Sequence, residues 1–346
     1  MPTILITGGC GYIGSHTAVE LLERGQAEVI SIDNLCNSSE QTLDRIEAIT
    51  GKRMRNYAVD LCDLEATREV FRQHPDIEGV IHFAALKSVG ESVEQPLRYF
   101  HNNTESLLNI LACCKEFGVK GLIFSSSCSL YGNISSLPVT EETPLSEPES
   151  PYAYTKLLGE RILKDFTRAH AGTQVIALRY FNPVGAHHTG LIGEDPINKP
   201  SNLVPVITQT ASGLIPKMSV FGGDYPTRDG SCVRDYVHVT DIALAHLTAL
   251  EYLREGRQEA LYDVYNLGSG QGVTVLEAIG AFERNTGVQL RYEVGPRRPG
   301  DVVAIYSDCS KALRQLGWTA ERGIDEMMRS AWKWQQHVNA ERQVQA

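Results

Sequence analysis

Tyr152 and Lys156 are the residues whose types and spacing most directly suggest chemistry. Four apart on a predicted helix, they face the same way, one turn from each other. A phenol ionises near ~10 and is a poor base at neutral pH, but a neighbouring ammonium favours the phenolate. The spacing alone is weak evidence, since roughly 0.4 Tyr-x-x-x-Lys pairs are expected by chance in such a chain. No second pair of this kind is present, however, and this one follows a predicted strand ending in Ser125-Ser126-Ser127. Open α/β sheets bind ligands at the carboxyl ends of their strands. A hydroxyl there, Ser127 above all, can relay a proton to Tyr152, although turn chemistry is the plainer reading of three serines. Tyr154 is no rival base, because two residues on it faces away from Lys156.

A second cluster lies at the other end of the chain. Gly8, Gly11 and Gly14 give G-x-x-G-x-x-G between a first strand and a first helix, with Tyr12 and Ile13 opening that helix. Glycines there permit a tight turn, let backbone N–H groups reach a pyrophosphate and bring helix and strand close. Asp33 ends the second strand, where a carboxylate can accept from adenosine ribose hydroxyls, and Asn34 follows it. No arginine stands beside them to neutralise a 2′-phosphate, which favours NAD over NADP. An oxidised nicotinamide would add a second positive charge near Tyr152. Asp60 and Leu61 could bracket an adenine ring, or Asp60 could cap the next helix.

The elements that must position these groups read as alternating strands and helices. Strands are predicted at Thr3–Thr7, Glu28–Ile32, 55–59, 80–83, 121–125 and 175–180, mostly apolar throughout, with helical segments between them. That is the pattern of an α/β fold with a doubly wound, parallel, Rossmann-type sheet covered on both faces. Residues 182–202 read as a loop rich in glycine and proline. Strands at 219–221, 233–237 and Tyr262–Leu267 and helices at 241–253, Val275–Thr286 and 324–337 follow. The expected division is therefore a dinucleotide-binding domain over 1–181 and a smaller α/β lobe over 182–339, with a strand or helix exchanged between them allowed. A polar, frayed tail is expected over 340–346.

Composition narrows the function classes. The 346 residues are 42% hydrophobic and carry a formal charge of −10, which argues against a general nucleic-acid binder. With a mean hydropathy of −0.19 and no long apolar run, no membrane span is expected. The amino terminus lacks the basic flank and cleavage site of a signal peptide. Eight scattered cysteines without C-x-x-C spacing read as reduced thiols in a cytoplasmic protein. Adjacent His187 and His188 have no third ligand and point apart in an extended loop, so no metal is expected.

With these motifs the chain resembles the extended short-chain dehydrogenase/reductases and, more narrowly, the UDP-glucose 4-epimerase family. The resemblance runs from residue 4 to about residue 334. It rests on TGGCGYIGSH at 7–16, DNLCNS at 33–38, HFAALKSVGESV at 82–93, the serines and the Tyr152/Lys156 pair. RYFNPVGAH at 179–187, GEDP at 193–196, DYPT at 224–227, VRDYVHV at 233–239, YNLG at 265–268 and PRRPGD at 296–301 extend it. It implies Ser127, Tyr152 and Lys156 as catalytic residues. It implies NAD contacts at the glycine loop, Asp33, Asn34, Asp60, Leu61, Phe83, Ala84, Lys87, Asn102, Ser125, Tyr152, Lys156 and Tyr180. It implies UDP-sugar contacts at Ser127, Tyr152, Phe181, Asn182, Asn202, Leu203, Phe221, Arg234, Tyr236, Arg298 and Asp301. Arg234 and Arg298 are the cations a pyrophosphate needs in an acidic protein; Phe221 offers a face to uracil, unless it is a core residue.

What the resemblance implies is interconversion of UDP-galactose and UDP-glucose, as in galactose metabolism. A 4-keto sugar would turn about its pyrophosphate while NAD stays tightly held, and a homodimer through helices at Pro96–Phe117 and 152–171 is implied as well. Where many family members carry Tyr or Cys on the sugar-pocket wall this chain has Ile305, which leaves UDP-N-acetyl sugars open. A 4,6-dehydratase would need an Asp-Glu pair after the serines, and Cys128-Ser129-Leu130 stands there instead. A UDP-N-acetylglucosamine/N-acetylgalactosamine or uronate 4-epimerase remains an alternative. A non-catalytic NAD sensor is the rival of another class, and it would have no need of Tyr152 and Lys156 together.

Overall fold

The computed structural model describes residues 1–198, 200–298 and 301–345. Pro299 and Gly300 of the PRRPGD segment and Ala346 of the tail lie outside them. The first half runs β1 (Thr3–Thr7), α1 (Tyr12–Arg24), β2 (Glu28–Ile32), α2 (Gln41–Thr50), β3 (Arg55–Tyr57) and α3 (Leu64–Gln73). Then come β4 (Ile77–His82), α4 (Val89–Glu94), α5 (Pro96–Phe117), β5 (Gly121–Ser127), a 3-10 turn (Cys128–Tyr131), α6 (Pro151–Ala169) and β6 (Gln174–Tyr180). The second half continues with β7 (Asn182–Val184), α7 (Leu203–Ala211), β8 (Met218–Phe221), β9 (Val233–His238), α8 (Val239–Arg254) and β10 (Tyr262–Leu267). It ends with β11 (Gly272–Thr274), α9 (Val275–Thr286), β12 (Tyr292–Gly295), α10 (Ser310–Leu316) and α11 (Ile324–Gln345).

Seven parallel strands form the main sheet in the order β10-β6-β5-β4-β1-β2-β3. Its inner strands are mostly apolar on both sides because both sides are covered. Ile4 and Ile6 of β1 point into a core shared with α1 and α8, while Leu5 points into one shared with α3 and α5. Strand order reverses between β1 and β4, which opens a crevice at their carboxyl ends. There Phe83 N–H donates to the Thr7 carbonyl at 3.1 Å, so the loop after β4 meets the glycine loop.

The smaller lobe combines the sheet β11-β9-β7, the pair β12-β8 and helices α7, α9 and α11 around its own core, which includes Ile207, Phe282 and Met328. Two features, at residues 182–202 and in the tail, depart from the sequence reading, and between them stands an exchange of the kind it allowed. Residues 182–202 are not all loop: β7 pairs with β9 in parallel. Strand β10 and helix α8 come from the second half of the chain yet belong to the main sheet and its cover, because the apolar edge of β6 needs a partner. The tail is not frayed through 340–345 but helical, since Val338 is buried and Glu341 and Arg342 pair with Arg45 and Asp195.

Candidate active site

The glycine loop is shaped by contacts that leave no room for side chains. Gly8 has φ +73° and stands against the loop after β4, where an added Cβ would lie 3.0 Å from Ala84 N. An added Cβ at Gly14 would lie 2.2 Å from the Gly8 carbonyl oxygen. Helix α1 starts after Gly11, which offers no capping side chain, and its first turn holds no acid. The N–H groups of Tyr12 and Ile13 therefore face the crevice with the positive end of the helix behind them. Asp33, buried at the end of β2, binds the loop directly: its carboxylate accepts from Cys10 N–H at 3.0 Å, Leu35 N–H at 2.9 Å and Ser38 Oγ at 2.9 Å. No ion pair among the described residues reaches that carboxylate. Asn34 Oδ1 accepts from Cys36 N–H, and Leu35 between them takes φ +61°.

The helix after β3 is capped by Asp63, which accepts from Ala66 N–H at 3.0 Å, and not by Asp60. Asp60 closes its own turn on Cys62 N–H, and Leu61 is buried beside α5. Asn102 donates to Asn103, whose side chain bonds both the N–H and the carbonyl of Leu86. Asn103 thus shapes the loop that carries Phe83, Ala84 and Lys87, a role that Asn102 alone would not reveal. Lys87 Nζ lies 3.1 Å from Glu194 Oε1, which also accepts from Asn202 Nδ2 at 2.8 Å.

Across the crevice, Ser150 caps α6 and Pro151 opens it, which sets Tyr152 in the first turn and Lys156 in the second. Lys156 is only 5% exposed. Its Nζ donates to the Ser125 carbonyl at 2.7 Å and lies 6.0 Å from the centre of the Tyr152 ring. Tyr154 points outward against Phe100. The three serines have three different partners. Ser125 lies near the Tyr180 phenol, Ser126 Oγ donates to Glu160, and Ser127 Oγ accepts from Ser129 N–H and lies near the Tyr152 phenol. Turn capping and the approach to Tyr152 therefore fall on one residue.

Burial pushes the Tyr152 phenol up to about 12, against a smaller downward pull from the Ser127 hydroxyl. The expected lowering by Lys156 does not dominate, because that ammonium is turned onto the Ser125 carbonyl. Burial also brings Lys156 down to about 8, with Glu160 opposing it. Tyr180 is turned inward: its hydroxyl bonds His246 Nε2 at 2.6 Å, and His246 Nδ1 donates to the Ile242 carbonyl. The rings of His187 and His188 lie against each other, centres 4.2 Å apart and tilted by 45°, instead of pointing apart, because the chain turns at Thr189 and Gly190.

The third group lies toward the small lobe. Phe221 is 43% exposed, so it is no core residue, and the Arg298 guanidinium lies 5.2 Å from its ring centre. Arg298 pairs with Asp301 at 2.7 Å, and Arg234 reaches the same carboxylate at 3.7 Å. Phe181, Tyr131 and Ile305 pack together beside the serine turn. Among the described residues Asn182 Oδ1 is buried without a partner, and Asn202 and Leu203 open α7. Tyr236, by contrast, is buried in the small-lobe core beside Asn182.

The profile of the family described as "NAD dependent epimerase/dehydratase family" matches residues 4–268. The chain belongs to that family. Among relatives, a UDP-glucose 4-epimerase of Bacillus subtilis (strain 168) is 49% identical, over 96% of this chain and 96% of its own length. The family's solved structures include a UDP-glucose 4-epimerase from Stenotrophomonas maltophila with bound NAD and formylated UDP-arabinopyranose. It is 45% identical, covers 99% of this chain and 100% of its own, and has a TM-score of 0.94. Another, from Bifidobacterium longum in complex with NAD+ and UDP, is 46% identical over 97% and 98% with a TM-score of 0.92. The family's sheet and crevice are thus those described above.

Proposed function

We propose that this chain interconverts UDP-galactose and UDP-glucose through a 4-keto sugar, using a tightly held NAD. The observation that carries the reading is the buried Lys156 ammonium under Tyr152 and beside Ser127, facing the glycine loop across the crevice. The site fits the dinucleotide: uncapped N–H groups at the start of α1 would take the pyrophosphate, and Asp33 the adenosine ribose. Phe83, Ala84, Lys87 and Asn102 line the same crevice. When bound, NAD supplies the acceptor and then the donor of the C4′ hydride. Tyr152, as phenolate beside Lys156 and the Ser127 hydroxyl, takes the 4′-hydroxyl proton and later returns it.

The nucleotide would be held by the Phe221, Arg234, Arg298 and Asp301 group, with Asn182, Asn202 and Leu203 nearby. Among the described residues Asn182 Oδ1 is an acceptor with no partner, as a ligand-binding group would be. Ile305, packed on Phe181, closes the sugar end. A dehydratase reading lacks its carboxylates, because Cys128 and Ser129 follow Ser127.

The test is to add UDP-galactose without nicotinamide cofactor to the purified protein and assay UDP-glucose. Wild type is expected to form it, and Tyr152→Phe to lose about 10²-fold or more in kcat. A wild type that binds UDP but makes no UDP-glucose even with added NAD sinks the reading. A homodimer is part of the proposal, because Leu97, Leu108 and Tyr154 stand exposed on α5 and α6. Sedimentation at the 38.2 kDa of one chain would contradict it. Eight unpaired cysteines support work in the cytoplasm, and a secreted pool found on fractionation would refute that; among the described residues no helix is long and apolar enough to cross a membrane.

A further inference from the structure

Behind Tyr152 and Lys156 lies a buried charge pair to which this function gives no role. Glu160 sits one turn beyond Lys156 on α6, and Arg179 lies on β6 in register with Ser126 of β5. Their contact is bidentate, with Nε to Oε1 at 2.8 Å and Nη2 to Oε2 at 2.7 Å, and both side chains are under a tenth exposed. Desolvating two charges largely cancels their attraction, so added stability is a weak reason for such a pair. Its remaining contacts say what it holds.

Ser126 Oγ donates to Glu160 Oε1 at 2.5 Å. Ser126 stands between Ser125, whose carbonyl takes the Lys156 ammonium, and Ser127. On the opposite side Arg179 Nη1 donates to the Tyr131 hydroxyl at 2.9 Å, and Tyr131 donates to Asn266 Oδ1 at 2.7 Å. The Tyr131 ring stacks on Phe181 and packs with Ile305. A single carboxylate–guanidinium pair therefore joins the serine strand, the catalytic helix and the wall beside the sugar.

We propose that Glu160 and Arg179 are positioning residues for the epimerisation: they fix Ser127 and Lys156 relative to Tyr152 and tie that geometry to the sugar wall through Tyr131. This inference rests on the epimerase reading. Without the tie at Ser126, the end of β5 is held to α6 by the Lys156 contact alone among these polar links. The pair also acts through charge. The titratable groups facing Lys156 are Tyr152 and Glu160 on its own helix and His82 on β4, with Arg179 behind Glu160. Removing the Glu160 charge while Arg179 remains makes the ammonium easier to deprotonate.

The experiment compares wild type, Ser126→Ala and Glu160→Gln as purified holoenzymes, measuring kcat and KM for UDP-galactose across pH together with melting temperature. Ser126→Ala is expected to lower kcat about tenfold with KM changed less than about twofold, because the reacting groups and not the nucleotide are displaced. Unchanged kcat in a protein that melts like wild type overturns the proposal. If Ser126→Ala melts far below wild type, Glu160→Gln decides, since it keeps an oxygen for Ser126 and loses the charge. A basic limb of kcat moved to lower pH supports the proposal, and an unmoved limb overturns it. Wild-type activity in the same assay reports separately on the epimerase reading.

Discussion

Replacing Gly14 by alanine is the smallest change that asks whether the glycine loop is a cofactor cradle. The new Cβ would lie 2.2 Å from the Gly8 carbonyl oxygen and 3.0 Å from the Gly9 Cα. A carbon and a carbonyl oxygen rest about 3.3 Å apart, so loop and helix must part by about 1 Å. Gly8 cannot yield freely: its N–H donates to the Ile32 carbonyl at 2.8 Å, its carbonyl accepts from Gly11 N–H at 3.1 Å, and Ala84 lies behind it. Overpacking of this kind costs about 1–3 kcal/mol, a few degrees of Tm in a chain this size. The functional loss should be larger, since a shift of about 1 Å at a binding site can cost about 10²-fold.

The assay is the ratio of NAD released on denaturation to protein, with UDP-glucose formation measured before and after adding NAD. Gly14→Ala is expected to emerge largely free of NAD and to regain only part of its activity. Gly51→Ala is the control: unlike the helical Gly14, that glycine has positive φ, at +67°, and nothing lies within 4 Å of an added Cβ. It should cost about 1–2 kcal/mol of stability and no cofactor. A Gly14→Ala protein with full NAD content and wild-type turnover would refute the cradle argument.

Two further outcomes are expected. Below about pH 8 Lys156 is charged and above it the ammonium is lost, so kcat should fall on the basic side near pH 8. The folded chain binds fewer protons than the unfolded one from there to ~10.4, so this lysine makes stability rise with pH across that window. Lys156→Met should abolish turnover and remove that rise in a denaturation series; a wild-type kcat flat to pH 10 contradicts this. Ile305→Ser should raise kcat/KM for UDP-N-acetylgalactosamine relative to UDP-galactose by about tenfold, the scale of a few methylenes in a pocket. An unchanged ratio means that another residue closes the sugar end.

The strands of the main sheet were legible because burial on both faces leaves near-continuous Ile, Val and Leu runs, as in ILI at 4–6 and VIAL at 175–178. The fingerprint Gly8-Gly11-Gly14 and the Tyr152/Lys156 spacing were legible because both obey local geometry. What sequence could not give depends on partners distant along the chain. Asn182–Val184 becomes a strand only because β9 lies beside it. The polar tail stays helical because α11 is held from the first half of the chain, by Arg45 against Trp334 and Glu341. Arg179 and Glu160 each stood in a readable segment, and a carboxylate four residues after Lys156 was the available signal, but the bond between strand and helix was not in either segment. The resemblance implies Tyr180 at the cofactor, whereas in the fold a histidine from α8 takes its hydroxyl.

The position of β10 has a consequence for how the chain is made. Its partner β6 ends at Tyr180, and everything from 181 to 261 must leave the ribosome before Tyr262–Leu267 can dock. At about 5–20 residues per second, that leaves an apolar sheet edge unpaired for several seconds. Such an edge is a template for pairing with other nascent chains. A fragment stopping at 181 would carry the same exposed border permanently, so the two lobes, distinct as they look, are not separable products of translation. The last strand closes the sheet late and from a distance, which makes folding of the cofactor half dependent on synthesis of the sugar half.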